Sequence, residues 1–226
     1  MSPPLLAAED LSKSFGVTRA LNGASLRVSP GEVLALTGPS GSGKSTLLHC
    51  LSGILAPDSG RVRYDGRELT TLTDRERSAL RRREFGFVFQ FGQLVPELTC
   101  QENVELPLRL SGVRRAGARG PAAELLARLG VSEVAGKRPG QVSGGQGQRV
   151  AVARALVTGP RVIFADEPTG ALDSRNGEQV MGLLVAAARE RGSAVVLVTH
   201  ETRIAAFADR EAVFRDGAAV ERQGAR

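Results

Sequence analysis

Nine consecutive residues, Gly38-Pro39-Ser40-Gly41-Ser42-Gly43-Lys44-Ser45-Thr46, constrain this chain more than any other stretch of it. They satisfy G-x-x-x-x-G-K-[ST]. They stand between Val33-Leu34-Ala35-Leu36, a buried-strand run, and a segment in which Leu47, Leu48, Leu51, Ile54 and Leu55 recur at helical spacing. A strand, a glycine-rich turn and a helix in that order bend backbone N–H groups around phosphates and aim the positive end of the helix at them. Lys44 then reaches the β and γ phosphates, and the Ser45 hydroxyl is placed to ligate Mg²⁺. The motif calls for a nucleoside triphosphate and leaves kinase, GTPase and ATPase open.

Elsewhere short apolar runs alternate with amphipathic helices, the pattern of an α/β chain with a parallel sheet covered by helices. Arg61-Val62-Arg63-Tyr64 alternates polar with apolar, and Asp65-Gly66 supplies a positive-φ hairpin turn. Arg27 and Val28 alternate likewise, so a small antiparallel flap takes in the first 30 residues or so. Phe85, Phe87, Phe89 and Phe91 fall on one face of a strand, read mainly as core, and Gln90 falls on the other. From Gly92 to Gln141 the prolines Pro96, Pro107 and Pro121 and a Gly/Arg-rich link over 112–120 break up the helical pattern, which reads as an inserted helical sub-domain. Its clearest helix starts with Pro121 in the first turn, carries Leu125, Leu126 and Leu129 on one face and stops at Gly130. The expected organisation is one domain over 1–226, with 1–91 and 146–226 forming a catalytic core with its β flap and 92–145 the helical sub-domain.

At about 100 to 200 residues per domain, 226 residues suit a single core, and 42% hydrophobic with 24% charged residues is neither disordered nor membrane-spanning. No apolar run of about 18 residues occurs, and Met1-Ser2-Pro3-Pro4 lacks the start of a signal peptide, so a cytoplasmic location is expected. Cys50 and Cys100 are too few for a disulfide framework and read as buried small hydrophobes. The net charge of +6 raises nucleic acid or an anionic surface as a partner, but the positive charge is nearly all arginine, Arg81-Arg82-Arg83 reads as a solvated face, and 4% aromatic residues leave little for base stacking. No nucleic acid is expected.

Two further segments carry chemistry. The run Val162-Ile163-Phe164-Ala165 delivers Asp166 and Glu167 to the C-terminal edge of the sheet. Asp166 suits the Mg²⁺ shell, and Glu167 suits activating the water that attacks a γ-phosphate. Ser143-Gly144-Gly145-Gln146 opens a helix that continues through Arg149 to Leu156, offering a hydroxyl and several N–H donors to an anion, a second phosphate-binding helix end. His200 ends the buried strand Ala194 to Thr199, where ligands sit in open α/β sheets.

In this order the motifs resemble those of an ABC-transporter nucleotide-binding subunit over essentially the whole chain. Residues 38–46 are similar to the family's Walker A, Gln90 to its Q-loop, Ser143 to Gln146 to its signature, Phe164 to Glu167 to its Walker B, Ala171-Leu172-Asp173 to its D-loop and His200 to its switch histidine; Phe15 stands where the family stacks an aromatic on adenine. The resemblance implies a P-loop NTPase core of RecA-like type with an N-terminal antiparallel β sub-domain and an inserted α-helical one. It also implies that two such subunits, this chain with a second copy or a homologous cassette, sandwich two ATP and hydrolyse them with Mg²⁺. Glu167, His200 and Lys44 then act in catalysis; Phe15, residues 38–46, Gln90, Ser143 to Gln146 and Asp173 bind nucleotide; Ser45, Gln90 and Asp166 serve the metal.

Within the family, Leu94-Val95-Pro96-Glu97-Leu98-Thr99, Glu102-Asn103-Val104, Leu106-Pro107-Leu108 and Asp166 to Asp173 resemble the macrolide-export, lipoprotein-release and cell-division branch. The implied partner is a permease with few membrane helices and an extracytoplasmic domain, on whose inner face the cassette sits peripherally and drives export or extrusion. A mechanical signalling complex without transport is the alternative, and a soluble ATPase acting on nucleic acid or ribosomes a more distant one. Val142 replaces the usual leucine of the signature and Gly147 a usual long polar residue; neither change removes a catalytic group.

Overall fold

A computed structural model describes residues 3–221; Met1 and Ser2, part of the opening read for a leader, and the last five residues lie outside it. The elements in chain order are β1 (Leu6–Phe15), β2 (Thr18–Val28), β3 (Val33–Thr37), α1 (Lys44–Leu51), β4 (Ser59–Tyr64), β5 (Arg67–Glu68), α2 (Asp74–Glu84), β6 (Phe85–Phe89), α3 (Cys100–Leu110), α4 (Arg115–Arg128), α5 (Gly144–Leu156), β7 (Val162–Asp166), α6 (Ser174–Glu190), β8 (Ala194–Val198), α7 (Thr202–Ala205), β9 (Arg210–Arg215) and β10 (Ala218–Glu221). The flap is an antiparallel sheet in the order β2-β1-β4-β5, and the main sheet runs β10-β9-β3-β8-β7-β6 with only β10 antiparallel.

Strands β3, β7 and β8 are apolar almost throughout because both faces of the main sheet are covered. The two-residue pleat divides their side chains. Phe164, Val196, Leu34 and Leu36 pack with the flap and α1, whereas Ile163, Ala165, Val195 and Leu197 pack with α3, α4, α5 and α6. The parallel register brings the C-terminal ends of β3, β8, β7 and β6 to one edge, so the residues just beyond them converge: Gly38, His200, Glu167 and Gln90.

The segment after Gln90 is fixed by Asn103, fully buried on α3. Its Oδ1 accepts from the Val95 N–H at 2.7 Å, and its Nδ2 donates to the carbonyls of Val95, Leu98 and Thr99. Thr99 and Glu102 close the start of α3 with a capping box.

Several expectations are corrected. The helix read as starting at Pro121 begins at Arg115, so most of the 112–120 link is helical and Pro121 lies inside α4. The buried stripe Ala118, Ala122, Leu125 and Leu126 outweighs the loss of one N–H bond at an exposed proline. α1 ends at Leu51, leaving Ile54 48% exposed beyond it. β6 ends at Phe89: Phe85 is in the core, Phe87 and Phe89 are half-buried, and Phe91 is 76% exposed on a turn closed by the Gly92 N–H donating to the Phe89 carbonyl. Arg81 is not wholly a solvated charge, since its guanidinium donates to the Gly53 carbonyl and the Ser78 hydroxyl. Helix α5 runs unbroken from Gly144, and one apolar cluster joins α3 and α4 to α5, α6 and the sheet. Both cysteines are buried, and burial pushes the Cys50 thiol up to about 12.

Candidate active site

The loop after β3 closes on α1, and Gly43 stands at the N-cap of that helix with no side-chain cap. By contrast α2, α3, α5 and α6 spend a threonine, serine or aspartate on the same position. The first amides of α1 are therefore left for a ligand, which is what a phosphate cradle needs. Glycine is required at both ends of the loop by close approach of other backbone: a Cβ on Gly38 would sit 2.1 Å from the Phe214 carbonyl oxygen, and one on Gly43 2.2 Å from that of Ala20. Lys44 Nζ donates to the carbonyls of Gly38 at 3.0 Å and Pro39 at 2.7 Å. Burial lowers its pKa, opposed by the charges of Glu167 and Asp166.

Asp166, at the end of β7, accepts from the Ser45 hydroxyl at 3.0 Å, so the acidic pair meets the phosphate loop directly. Burial raises its pKa, and the Ser45 hydrogen bond draws it back down. Glu167 follows in the left-handed region at φ 46°. Its N–H donates to the Val198 carbonyl and its carbonyl accepts from the Gly170 N–H, bonds that hold an unfavourable backbone in place. His200 Nδ1 lies 3.2 Å from Glu167 Oε1. Thr18, Ala20, Ser40, Gly41, Gly43, Lys44, Ser45, Thr46 and Glu167 line one cleft of about 200 Å³. Thr18 and Ala20 escape a sequence reading because neither residue type announces phosphate chemistry.

Gln90 lies against Gly170, where a Cβ would come within 2.7 Å of its Nε2. The turn that carries it is gripped by α5: Gln148 Nε2 donates to the Phe89 carbonyl at 2.9 Å, and the Arg154 guanidinium donates to the carbonyls of Gln93 and Gly92. The same helix begins with the predicted second phosphate end. Ser143 and Gln146 form a reciprocal capping box, and Gln146 Nε2 also donates to Glu133. Gln146 thus takes part in the cap, and the amides of Gly144 and Gly145, the first two of the helix, have no intrahelical partner. This end opens on a different cleft, shared with Gln90, Ala171 and Leu172, and none of the residues lining it lines the Lys44 cleft. Asp173 caps α6, accepting from the Asn176 N–H at 3.1 Å. Phe15 stands 52% exposed at the end of β1, with Lys13 Nζ 5.8 Å from its ring centroid.

A second feature is an apolar groove of about 370 Å³ between β6, α2 and α3, floored by Phe85, Phe87 and Phe89 and walled by Leu106 and Leu110. Among the described residues, three arginines, Arg81, Arg82 and Arg154, line it and no carboxylate does. Among the described residues no helix is long and apolar enough to cross a membrane.

The family described as "ABC transporter" matches residues 21–170. The macrolide export ATP-binding/permease protein MacB of Marinobacter nauticus is 45% identical over 230 aligned residues, which take in all of this chain and 36% of that protein. The lipoprotein-releasing system ATP-binding protein LolD of Hyphomonas neptunium is 42% identical over 98% of this chain and 99% of its own length. The chain thus spans about a third of the first relative and nearly all of the second. A dimeric structure of a post-hydrolysis state of the ATP-binding cassette MJ0796, bound to ADP and Pi, superposes with a TM-score of 0.88 at 38% identity, over 97% of this chain and all of that one. Relatives of this similarity across the full length, on a fold that gathers a phosphate loop, an acidic pair and a histidine at one sheet edge, leave a single conclusion: the chain belongs to the ABC transporter family, as one of its ATP-hydrolysing cassettes.

Proposed function

We propose that this chain powers a membrane permease of the macrolide-export and lipoprotein-release kind, working as one of two cassettes that close around two ATP. A separation carries the reading. Lys44, Ser45 and Glu167 line one cleft while Ser143 and Gly144 line another, which supports a nucleotide site that one chain leaves incomplete. A second copy, or a homologous cassette, facing the first head to tail supplies the missing end to each cleft.

In that arrangement the Lys44 ammonium exchanges two backbone carbonyls for the β and γ phosphate oxygens, and the uncapped amides of α1 cradle the same group. Ser45, Gln90 and Asp166 offer the hard oxygen donors that Mg²⁺ prefers, and a neighbouring cation would offset the burial that now raises the Asp166 pKa. When bound, the ion neutralises charge on the phosphates. Glu167 takes the proton of the attacking water, His200 holds that carboxylate and reaches the γ-phosphate, Phe15 stacks on adenine, and Ser143 with the Gly144 and Gly145 amides contacts the γ-phosphate of the partner's nucleotide. Asp173 stands at the face where the two copies meet. Gln90, gripped through Gln148 and Arg154 by the helix that carries Ser143, passes the state of the site to the groove above it.

The groove suits a short cytoplasmic helix of the permease with an apolar face and a carboxylate for Arg82, whose guanidinium makes no hydrogen bond among the described residues. The cassette would then lie peripherally at the inner face of the membrane. Glu167→Gln chains recovered from native membranes with ATP and Mg²⁺ should co-purify a permease with few membrane helices and a large outer domain, identified by mass spectrometry. Recovery of ribosomal proteins or nucleic acid in its place would overturn the reading.

A further inference from the structure

The phosphate loop is held from outside by a part of the chain that carries no recognised motif. β9 runs parallel to β3 with Val213 opposite Thr37, so Phe214 comes alongside Gly38, where the chain leaves the sheet for the loop. The Phe214 carbonyl oxygen lies 2.1 Å from where a Cβ on Gly38 would stand, and its buried ring comes within 3.2 Å of where a Cβ on Gly43 would lie. The turn from β9 to β10 then reaches the loop itself. Gly217 N–H donates to the Ser42 carbonyl at 3.1 Å, and the Gly217 carbonyl accepts from the Asn22 N–H at 2.8 Å. One residue thereby bridges the loop to β2, the strand that forms the other wall of the Lys44 cleft.

The molecule contains a matched control. Asp65-Gly66 joins β4 to β5 with φ values of 49° and 76°, and Asp216-Gly217 joins β9 to β10 with φ values of 48° and 78°. A Cβ on Gly66 would meet nothing within 4 Å, whereas one on Gly217 would lie 2.9 Å from the Asn22 nitrogen and 3.0 Å from the Ala20 carbonyl oxygen. Replacing either glycine by alanine imposes the same backbone strain. Only at Gly217 does it also push the hairpin away from the loop and from β2.

We propose that the Asp216-Gly217 turn is a positioning element of the ATP site, setting through the Ser42 carbonyl and β2 the shape in which residues 38–46 receive phosphate. The proposal rests on nucleotide binding at this loop. Gly217 touches no substrate and acts through Ser42 and Asn22, so its loss changes affinity rather than the chemical step.

The test titrates the full chain with a fluorescent ATP analogue and measures hydrolysis in parallel. Gly217→Ala should raise the dissociation constant at least fivefold and KM with it, leaving kcat at saturating ATP within about twofold of wild type. Gly66→Ala, which carries the backbone strain without the clash, should lower the thermal midpoint while leaving affinity and KM within about twofold. Should Gly217→Ala fail to fold, wild-type hydrogen exchange reads the same coupling in reverse, because linkage is reciprocal. ADP should slow exchange at the Gly217 and Asn22 amides at least fivefold and leave the Asp65-Gly66 hairpin unchanged. Wild-type affinity in Gly217→Ala, an equal loss in Gly66→Ala, or unaltered exchange at Gly217 would each overturn the proposal. Failure of the wild-type chain to bind the analogue would overturn the nucleotide reading as well, and the same titration reports it separately.

Discussion

His200 Nδ1 stands 3.2 Å from Oε1 of Glu167, joining the loops that leave β8 and β7. Thr169 Oγ1 donates to Glu201 Oε1 at 3.1 Å and ties the same two loops a second time. The carboxylate is therefore oriented from its neighbours while its backbone is held at φ 46°.

Glu167→Gln keeps the size and the backbone of this residue and removes its charge together with its capacity to take a proton. Steady-state turnover should fall by ~10²-fold or more with nucleotide affinity retained. Unchanged turnover would exclude Glu167 as the base.

Asp166→Asn separates stability from activity. Burial raises the Asp166 pKa in the folded chain above its ordinary value, so the ionised form is the one that folding disfavours. The destabilisation is full above the folded pKa and vanishes as pH falls below the ordinary carboxylate range. At pH 7 the asparagine variant should melt a few degrees above wild type, with the gap closing at acid pH, and hydrolysis should drop by ~10²-fold. A variant that melts lower at pH 7 would contradict this assignment.

Reversing charge in the groove should uncouple the cassette from its permease. Arg82 is exposed on α2, away from the nucleotide clefts. Arg82→Glu should leave hydrolysis by the isolated cassette within about twofold of wild type while weakening co-purification of the permease at least tenfold, a change of ~1.4 kcal/mol. Equal recovery from wild-type and variant membranes would remove the groove from the account.

Asn103→Ala should destabilise the chain by ~2 to 4 kcal/mol, because it leaves the Val95 amide and several carbonyls without their partner in a buried site. Chemical denaturation measures it; a loss under ~0.5 kcal/mol would mean that water takes over these bonds.

What could be read from the sequence was whatever is contiguous. The phosphate loop, the Asp166-Glu167 pair and His200 each sit at the end of an apolar run, and the parallel register then brings those ends together. The start of α4 was hidden because Gly117, Gly120 and Pro121 mimic breakers, and what decides is a buried face whose partners lie on α3 and α5. Phe91 kept the alternation of its strand but falls beyond the last ladder pair, Phe89 with Asp166. The Ser143-x-x-Gln146 spacing already spells a capping box, whereas the hydrogen bond from Gln146 to Glu133, 13 residues away, is visible only in the fold. Gly217 and Phe214 were out of reach altogether: their chemistry is ordinary, and only the pairing of β9 with β3 puts them against the loop.

The central claim is that one copy's Lys44 cleft is completed by the other copy's Ser143 helix end, and mixed subunits test it most directly. Lys44→Ala disables the first end, and Ser143→Asp places a carboxylate at the second while keeping a good N-cap. Each variant alone should be nearly inactive, whereas a mixture contains heterodimers with one intact composite site and should regain hydrolysis in proportion to their fraction. A mixture as inactive as its components would contradict the shared site.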